Sequence, residues 1–242
     1  MATTTSERRA RTYYRSPSRD KILDAAEIEF ASNSYDSCSL RMIAESSGVN
    51  LGLLHYYFGS KQALFSAVFL RRAKKLVERR MELLTEAKRE AGDTPIQLET
   101  LVRCFIKPTI EMIKQGEGPR AFIRLHSRLR TEPLDFAREL RRTAFNEANI
   151  AFIEAFHAAC PELTRATVVW RFTAMVGAYL FLISQSGRVE DLSKGLCDPA
   201  DVDTAIEEVV PFCVGGFLSP EPNIVPARKT KKKKKTGRRK SA

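Results

Sequence analysis

Between residues 39 and 61 the chain reads SLRMIAESSGVNLGLLHYYFGSK. It places Ser39, Arg41, Asn50, His55, Tyr56, Tyr57 and Lys61 among short apolar repeats. Arg41 and Lys61 supply positive charge, and Ser39 and Tyr57 supply hydroxyl groups. Asn50, His55 and Tyr56 add further hydrogen-bonding groups beside the apolar Leu51 and Leu53. Nothing here is arranged for proton transfer or nucleophilic attack. The three histidines, His55, His126 and His157, lie in no triad-like or metal-like pattern with neighbouring Cys, Asp or Glu. The expectation is a protein that is not an enzyme, with no cofactor and no metal.

Helices must position those side chains. Ser39 can cap a first helix whose Leu40, Ile43 and Ala44 recur at helical spacing, and Gly48 falls where that helix must stop and turn. Val49, Leu53 and Leu54 resume the pattern in a second helix, which Phe58 and Gly59 close. Two helices across a three- or four-residue turn form the helix-turn-helix unit, whose second helix enters the DNA major groove. A helix over about 19–32, with Ile22, Leu23, Ala25, Ala26 and Phe30 inward, completes a head too small to be very stable alone. A long helix from about residue 60 ties it to the rest.

Beyond the head every apolar pattern is helical, so the fold class is all-α, about nine helices, with no internal repeat. Leu98, Leu101, Val102, Phe105, Ile106, Ile110 and Ile113 form one stripe, kinked at Pro108. Residues 115–119 form a loop whose proline opens the next helix, and Glu132-Pro133 breaks the chain before a long helix to about residue 159. Pro161 starts another, to about 186, and the last spans about 201–217. The longest apolar run, residues 172–183, has 12 residues, short of the roughly 20 that span a bilayer. Five scattered cysteines without CxxC spacing read as reduced thiols, and no secretory signal is visible, so a cytoplasmic location and no membrane association are expected.

Charge divides the chain further. Residues 227–242 carry ten Lys or Arg and no acid, residues 66–226 hold 22 of each sign, and residues 1–65 net +1. The +11 overall is therefore a tail and not a basic domain. Arg8, Arg9, Arg11, Arg15 and Arg19 make a second basic arm. Two such arms around a helix-turn-helix fit a polyanionic partner. The resulting division is a basic disordered arm (1–17), a DNA-binding head (18–65), an effector-binding and dimerisation body (66–219) and a disordered Lys-rich tail (220–242).

The segment LRMIAESSGVNLGLLHYYFGSKQALFSAVF is similar to the DNA-binding head of the TetR family of transcriptional regulators, with YYFGSKQAL its most specific part. The resemblance covers about residues 19–70 closely, and the helical remainder agrees in length and order. It implies a homodimer on a palindromic operator in double-stranded DNA, probing successive major grooves, with a small-molecule effector in the body changing the spacing of the heads. Carried over by position, Ser39 and Arg41 start the helix that crosses the backbone. Asn50, Leu51, Gly52, Leu53, His55 and Tyr56 lie on or near the groove-facing side, and Tyr57 and Lys61 match phosphate-gripping positions. Leu51 departs from a position that is often polar in the family, which leaves apolar readout there. Residues 168–183 and the last helix resemble the family's two-helix share of a four-helix dimer interface; an ordinary core helix is the alternative for the first of these.

The body's aromatics suggest an apolar effector cavity lined by Phe105, Met112, Phe122, His126, Phe152, Phe156, Trp170, Met175 and Tyr179. RLHSRLRTEP at 124–133 is loosely similar to the PsrA-like, fatty-acid-responsive subgroup, which implies an acyl-type effector. The reading is a sequence-specific regulator, a repressor released by an apolar effector. The alternative is a nucleoid-associated DNA-binding protein without an effector.

Overall fold

Ser16 and Pro17 set the start of the first helix. The Ser16 hydroxyl accepts the Arg19 N–H at 3.2 Å, and proline occupies a first-turn position where no intrahelical donor is needed. The computed structural model describes residues 16–129, 135–184 and 187–221. Helix α1 (Pro17–Ser32) is followed by α2 (Leu40–Ser47), α3 (Leu51–Phe58) and α4 (Lys61–Ala91). Then come α5 (Leu98–Ile110), a 3-10 turn (Glu111–Gln115), α6 (Glu117–Arg128) and α7 (Ala137–Ala159). Helices α8 (Arg165–Leu182), α9 (Arg188–Ser193) and α10 (Val202–Leu218) complete the described chain. There is no strand among the described residues.

Among the described residues ten α-helices stand where about nine were expected. The extra one, α9, has no buried residue, so it leaves no apolar period to read. Pro108 does not break α5; the helix runs two residues past it and tightens into the 3-10 turn, where hydrogen bonding to the third residue back takes over. Pro119 lies inside the first turn of α6, which begins at Glu117. Thr164, not Pro161, caps α8: its hydroxyl accepts the Thr167 N–H. The Glu132-Pro133 break, Arg8, Arg9, Arg11, Arg15 and the Lys-rich tail lie outside the described residues.

Helix α4 is the spine. At 31 residues it runs about 46 Å, packing at its start against α1 and α3 and further on against α5, α6 and α7. Its inner stripe, Leu64, Phe65, Val68, Phe69, Ala73, Leu76, Leu84 and Ala87, is buried, and each large apolar side chain so enclosed contributes about 1.5–3 kcal/mol. Helix α10 closes the other side against α5 and α8. Among the described residues no helix is long and apolar enough to cross a membrane.

Candidate functional site

The turn between α2 and α3 is built from its caps. The Ser39 hydroxyl accepts the Met42 N–H at 3.1 Å and starts α2. Gly48 ends it at φ 67°, a left-handed conformation that costs glycine little, and the Val49 N–H returns to the Ala44 carbonyl at 3.1 Å. Two residues later Asn50 starts α3, its Oδ1 accepting the Leu53 N–H at 2.7 Å. Leu54 and Phe58 then face the core. Leu51, Gly52, His55 and Tyr56, at relative positions 0, 1, 4 and 5, share the outer stripe and are exposed, Tyr56 at 64%. Leu53 is half-buried beside them.

The expected contact residues differ in what they already hold. Asn50 spends its carbonyl oxygen on the cap, so only its amino group can point outward as a donor. The Tyr57 hydroxyl lies 2.6 Å from Ser16 Oγ, linking α3 to the start of α1. Lys61 Nζ donates to the Asp36 carbonyl at 3.3 Å and sits 4.5 Å above the Tyr35 ring, fastening α4 to the loop before α2. Arg41 is exposed beside Glu45 at 3.1 Å, a surface pair that forms and breaks at little cost. His55 Nδ1 is 3.3 Å from the Gly59 carbonyl. Lys61 and Asn50 are thus structural parts of the head as well as candidate contacts.

Sequence reasoning missed the joint between head and body. Glu27 of α1 is fully buried, and its carboxylate receives Arg72 Nη2 at 2.7 Å, Arg72 Nε at 2.8 Å and Arg71 Nη2 at 3.0 Å. Arg71 also donates to Asp24 at 2.7 Å. The carboxylate raises the Arg72 pKa, through its hydrogen bonds first. The N-terminus of α6 closes over this cluster at Gly118, where an added Cβ would come within 2.5 Å of Arg72 Nη2. A signal was present: Glu27 sits between Leu23 and Phe30 at spacings of four and three, an acid on the inward stripe of α1.

In the body the predicted cavity residues fall into separate groups. Phe105, Phe152 and Tyr179 meet around one ring, with Phe105 centroids 5.0 Å from Phe152 and 6.3 Å from Tyr179; Phe172 joins them to Phe156. Phe122 and His126 belong to another stack with Phe69 and Phe145, nearer the head. Met112 lines a cleft of about 220 Å³ with Arg72, Lys75, Arg79 and Pro108. Met175 is buried against an outer groove between α8 and α10. Trp170 is a correction: it is 76% exposed and lines no interior space, because its side of α8 faces outward.

That outer side of α8 is apolar without cover. Trp170, Ala174, Gly177 and Phe181 share it, Phe181 being 62% exposed. On α10, Phe212 is 71% exposed beside Gly215 and Gly216, and a Cβ added at Gly177, Gly215 or Gly216 would meet nothing within 4 Å. The groove between the two helices holds about 670 Å³. A contiguous apolar face with small residues is what a packed helical partner requires.

Among the described residues no group of three His, Cys, Asp or Glu side chains could hold a metal ion. Cys38, Cys104, Cys160 and Cys213 are buried, and burial pushes the Cys38 and Cys213 thiols up to about 11. Such thiols are inert at neutral pH.

Comparisons with known proteins agree with this layout. The family model described as bacterial regulatory proteins, tetR family, matches residues 22–68, and the tetracyclin repressor-like C-terminal domain matches residues 103–216. A curated relative, the HTH-type transcriptional regulator UidR of Escherichia coli K12, is 27% identical over 107 residues, 44% of this chain and 48% of its own length. The chain thus spans about half the length of the curated relatives it matches. The fatty acid degradation regulator FadR from Bacillus halodurans shares the fold at TM-score 0.63 and 16% identity, over 85% of this chain and 99% of that one. FadR from Bacillus subtilis, solved with stearoyl-CoA, aligns at TM-score 0.55 and 19% identity, over 81% and 98%.

Proposed function

Because the chain belongs to the TetR family of bacterial regulatory proteins, we propose that it is a sequence-specific DNA-binding regulator of transcription, working in the cytoplasm as a homodimer. A repressor reading fits best: an apolar effector bound in the body releases the two heads from a palindromic operator. The exposed stripe Leu51, Gly52, His55 and Tyr56 on a short, doubly capped helix carries this reading. Gly52 allows the helix close to the groove floor, Tyr56 and His55 read base edges, and Leu51 meets a thymine methyl group. Ser39, Arg41, Tyr57 and Lys61 hold phosphates. The exposed faces of α8 and α10 pack against their copies in the partner. The similarity to FadR proteins favours an acyl-type effector.

Selection of random DNA by the purified protein tests the proposal. A single palindrome, with half-sites about one helical turn apart or a multiple of it, is expected. Uniform recovery of all sequences would favour a nucleoid-associated protein instead.

The cap at Asn50 separates two kinds of substitution. Asn50→Ala should cost about 1 kcal/mol of stability, because α3 loses its N-cap, and weaken operator binding with it. Tyr56→Phe should instead change which bases are preferred, with about 1–3 kcal/mol of discrimination lost at one position. Thermal melts and binding to an operator library separate these; an unlowered melting temperature in Asn50→Ala, or an unchanged base preference in Tyr56→Phe, contradicts the assignment.

The Lys-rich segment is assigned bulk attraction to DNA. Removing residues 227–242 should lower non-specific affinity and flatten its salt dependence, in proportion to the number of phosphates the segment neutralises, while leaving the ranking of operators unchanged. Titrations on random and operator DNA at several salt concentrations check this.

A further inference from the structure

Four polar or charged side chains are buried among the described residues: Glu27, Arg80, Thr109 and His126. Glu27 obeys the rule that a buried charge is paired, since it holds two guanidiniums. Arg80 does not. It lies mid-way along α4, 2% exposed, between Leu76 and Leu84 on the inward stripe. Among the described residues no carboxylate lies within ion-pair distance of it. The guanidinium thus places a positive charge in the core.

Its partners are neutral. Nε donates to the Phe105 carbonyl at 2.8 Å, and Nη2 donates to Thr109 Oγ1 at 2.8 Å and to the Tyr179 hydroxyl at 2.9 Å. Nη1 has no acceptor among the described residues. The guanidinium lies 3.8 Å over the Phe105 ring, which itself packs on Phe152 at 5.0 Å and Phe172 at 4.8 Å. The group is therefore held in place by α5 and α8, has an unused donor edge, and is backed by aromatic carbon.

We propose that Arg80 is the anchor for the carboxylate of an amphiphilic organic acid whose apolar body lies along these aromatics. The inference rests on the reading of the body as effector-binding and narrows the effector to a free acid. A carboxylate neutralises the buried charge through charge-assisted hydrogen bonds, whereas an ester, an alcohol or the neutral carbonyl of a thioester leaves it uncompensated. Arg80 joins α4, α5 and α8, and α4 leads directly from the head, so an acid bound here acts on the helix that carries Lys61. By reciprocity, the operator must weaken acid binding by the factor with which the acid weakens operator binding.

Calorimetry on the full-length protein, with octanoate, dodecanoate and hexadecanoate, each against the alcohol and the CoA thioester of equal length, tests the anchor. For at least one length the acid should bind about tenfold to a hundredfold tighter than the alcohol. Arg80→Gln and Arg80→Met should erase that ratio while operator binding and the helical circular-dichroism signal persist. If both variants fail to fold, the acid-to-alcohol ratio of the unaltered protein decides. Equal affinity for acid and alcohol, a thioester preferred over its acid, or no binding by any acid overturns the proposal. Failure of the unliganded protein to select an operator would instead strike at the regulator reading and leave the acid ratio untouched.

Discussion

Phe212→Glu is expected to dissociate the proposed dimer. Phe212 is 71% exposed on α10 beside Gly215 and Gly216, so the change removes little packing within one chain and the monomer should melt nearly as before. In a dimer built on α8 and α10 it replaces a central aromatic anchor with a carboxylate, duplicated by the two-fold symmetry. The dimer dissociation constant should rise by about a hundredfold or more. Operator affinity should fall by about a hundredfold to ten-thousandfold, since one head no longer raises the effective concentration of the other. Analytical ultracentrifugation and gel-shift titration report the two effects. A variant that stays dimeric, or a monomer that binds the whole operator undiminished, would refute this interface. Trp170, 76% exposed on the matching side of α8, should respond in the same way.

The second large effect concerns the joint between head and body. Glu27→Gln keeps the shape of the side chain and removes its charge, leaving Arg71 and Arg72 facing a neutral amide. Breaking an enclosed pair costs about 3–5 kcal/mol, and here about 2–3 is expected because both arginines keep roughly a fifth of their surface in water. For a chain of this size that lowers the melting temperature by about 5–10 °C. The functional consequence should be larger than the thermal one. On the proposed reading, movement in the body would reach α1 through this cluster, so operator binding should survive while its release by effector is blunted. Unchanged melting together with full effector response would remove Glu27 from the coupling route.

Much of the head was legible because its rules are local. Ser39 and Gly48 each act on backbone groups within a few residues, so capping and a left-handed turn can be read from order alone. The outward side of α3 came instead with the family resemblance, which placed Asn50, Leu51, Gly52, Leu53, His55 and Tyr56 on or near the groove; the structure leaves Leu53 half-buried. Parts of the body were legible for the same reason, including the inward face of α5 and the apolar length of α8. Helix α9 was not, because a surface helix without buried residues has no period to detect.

The interior site was the least legible part. Periodicity says that Phe105, Phe122, His126 and Phe152 are buried, but not which of them meet. The tertiary structure sends Phe122 and His126 to a stack near the head, Phe105 and Phe152 to the ring around Arg80, and Trp170 to the surface. Arg80 and Glu27 were visible only as charged residues out of place on apolar stripes.

By itself, then, the order of residues determined the all-helical class, the position of the helix-turn-helix and the basic ends of the chain. These depend on interactions within a few residues or on composition. Only the tertiary structure decided that Glu27 is shared by two arginines 44 and 45 residues away, and that Arg80 meets Tyr179 across 99. Only it showed that Asn50 and Lys61 are already committed to holding the head together. Contacts at that separation depend on how several helices pack at once, and a guanidinium's need for an anion shows only when every neighbour around it has been placed.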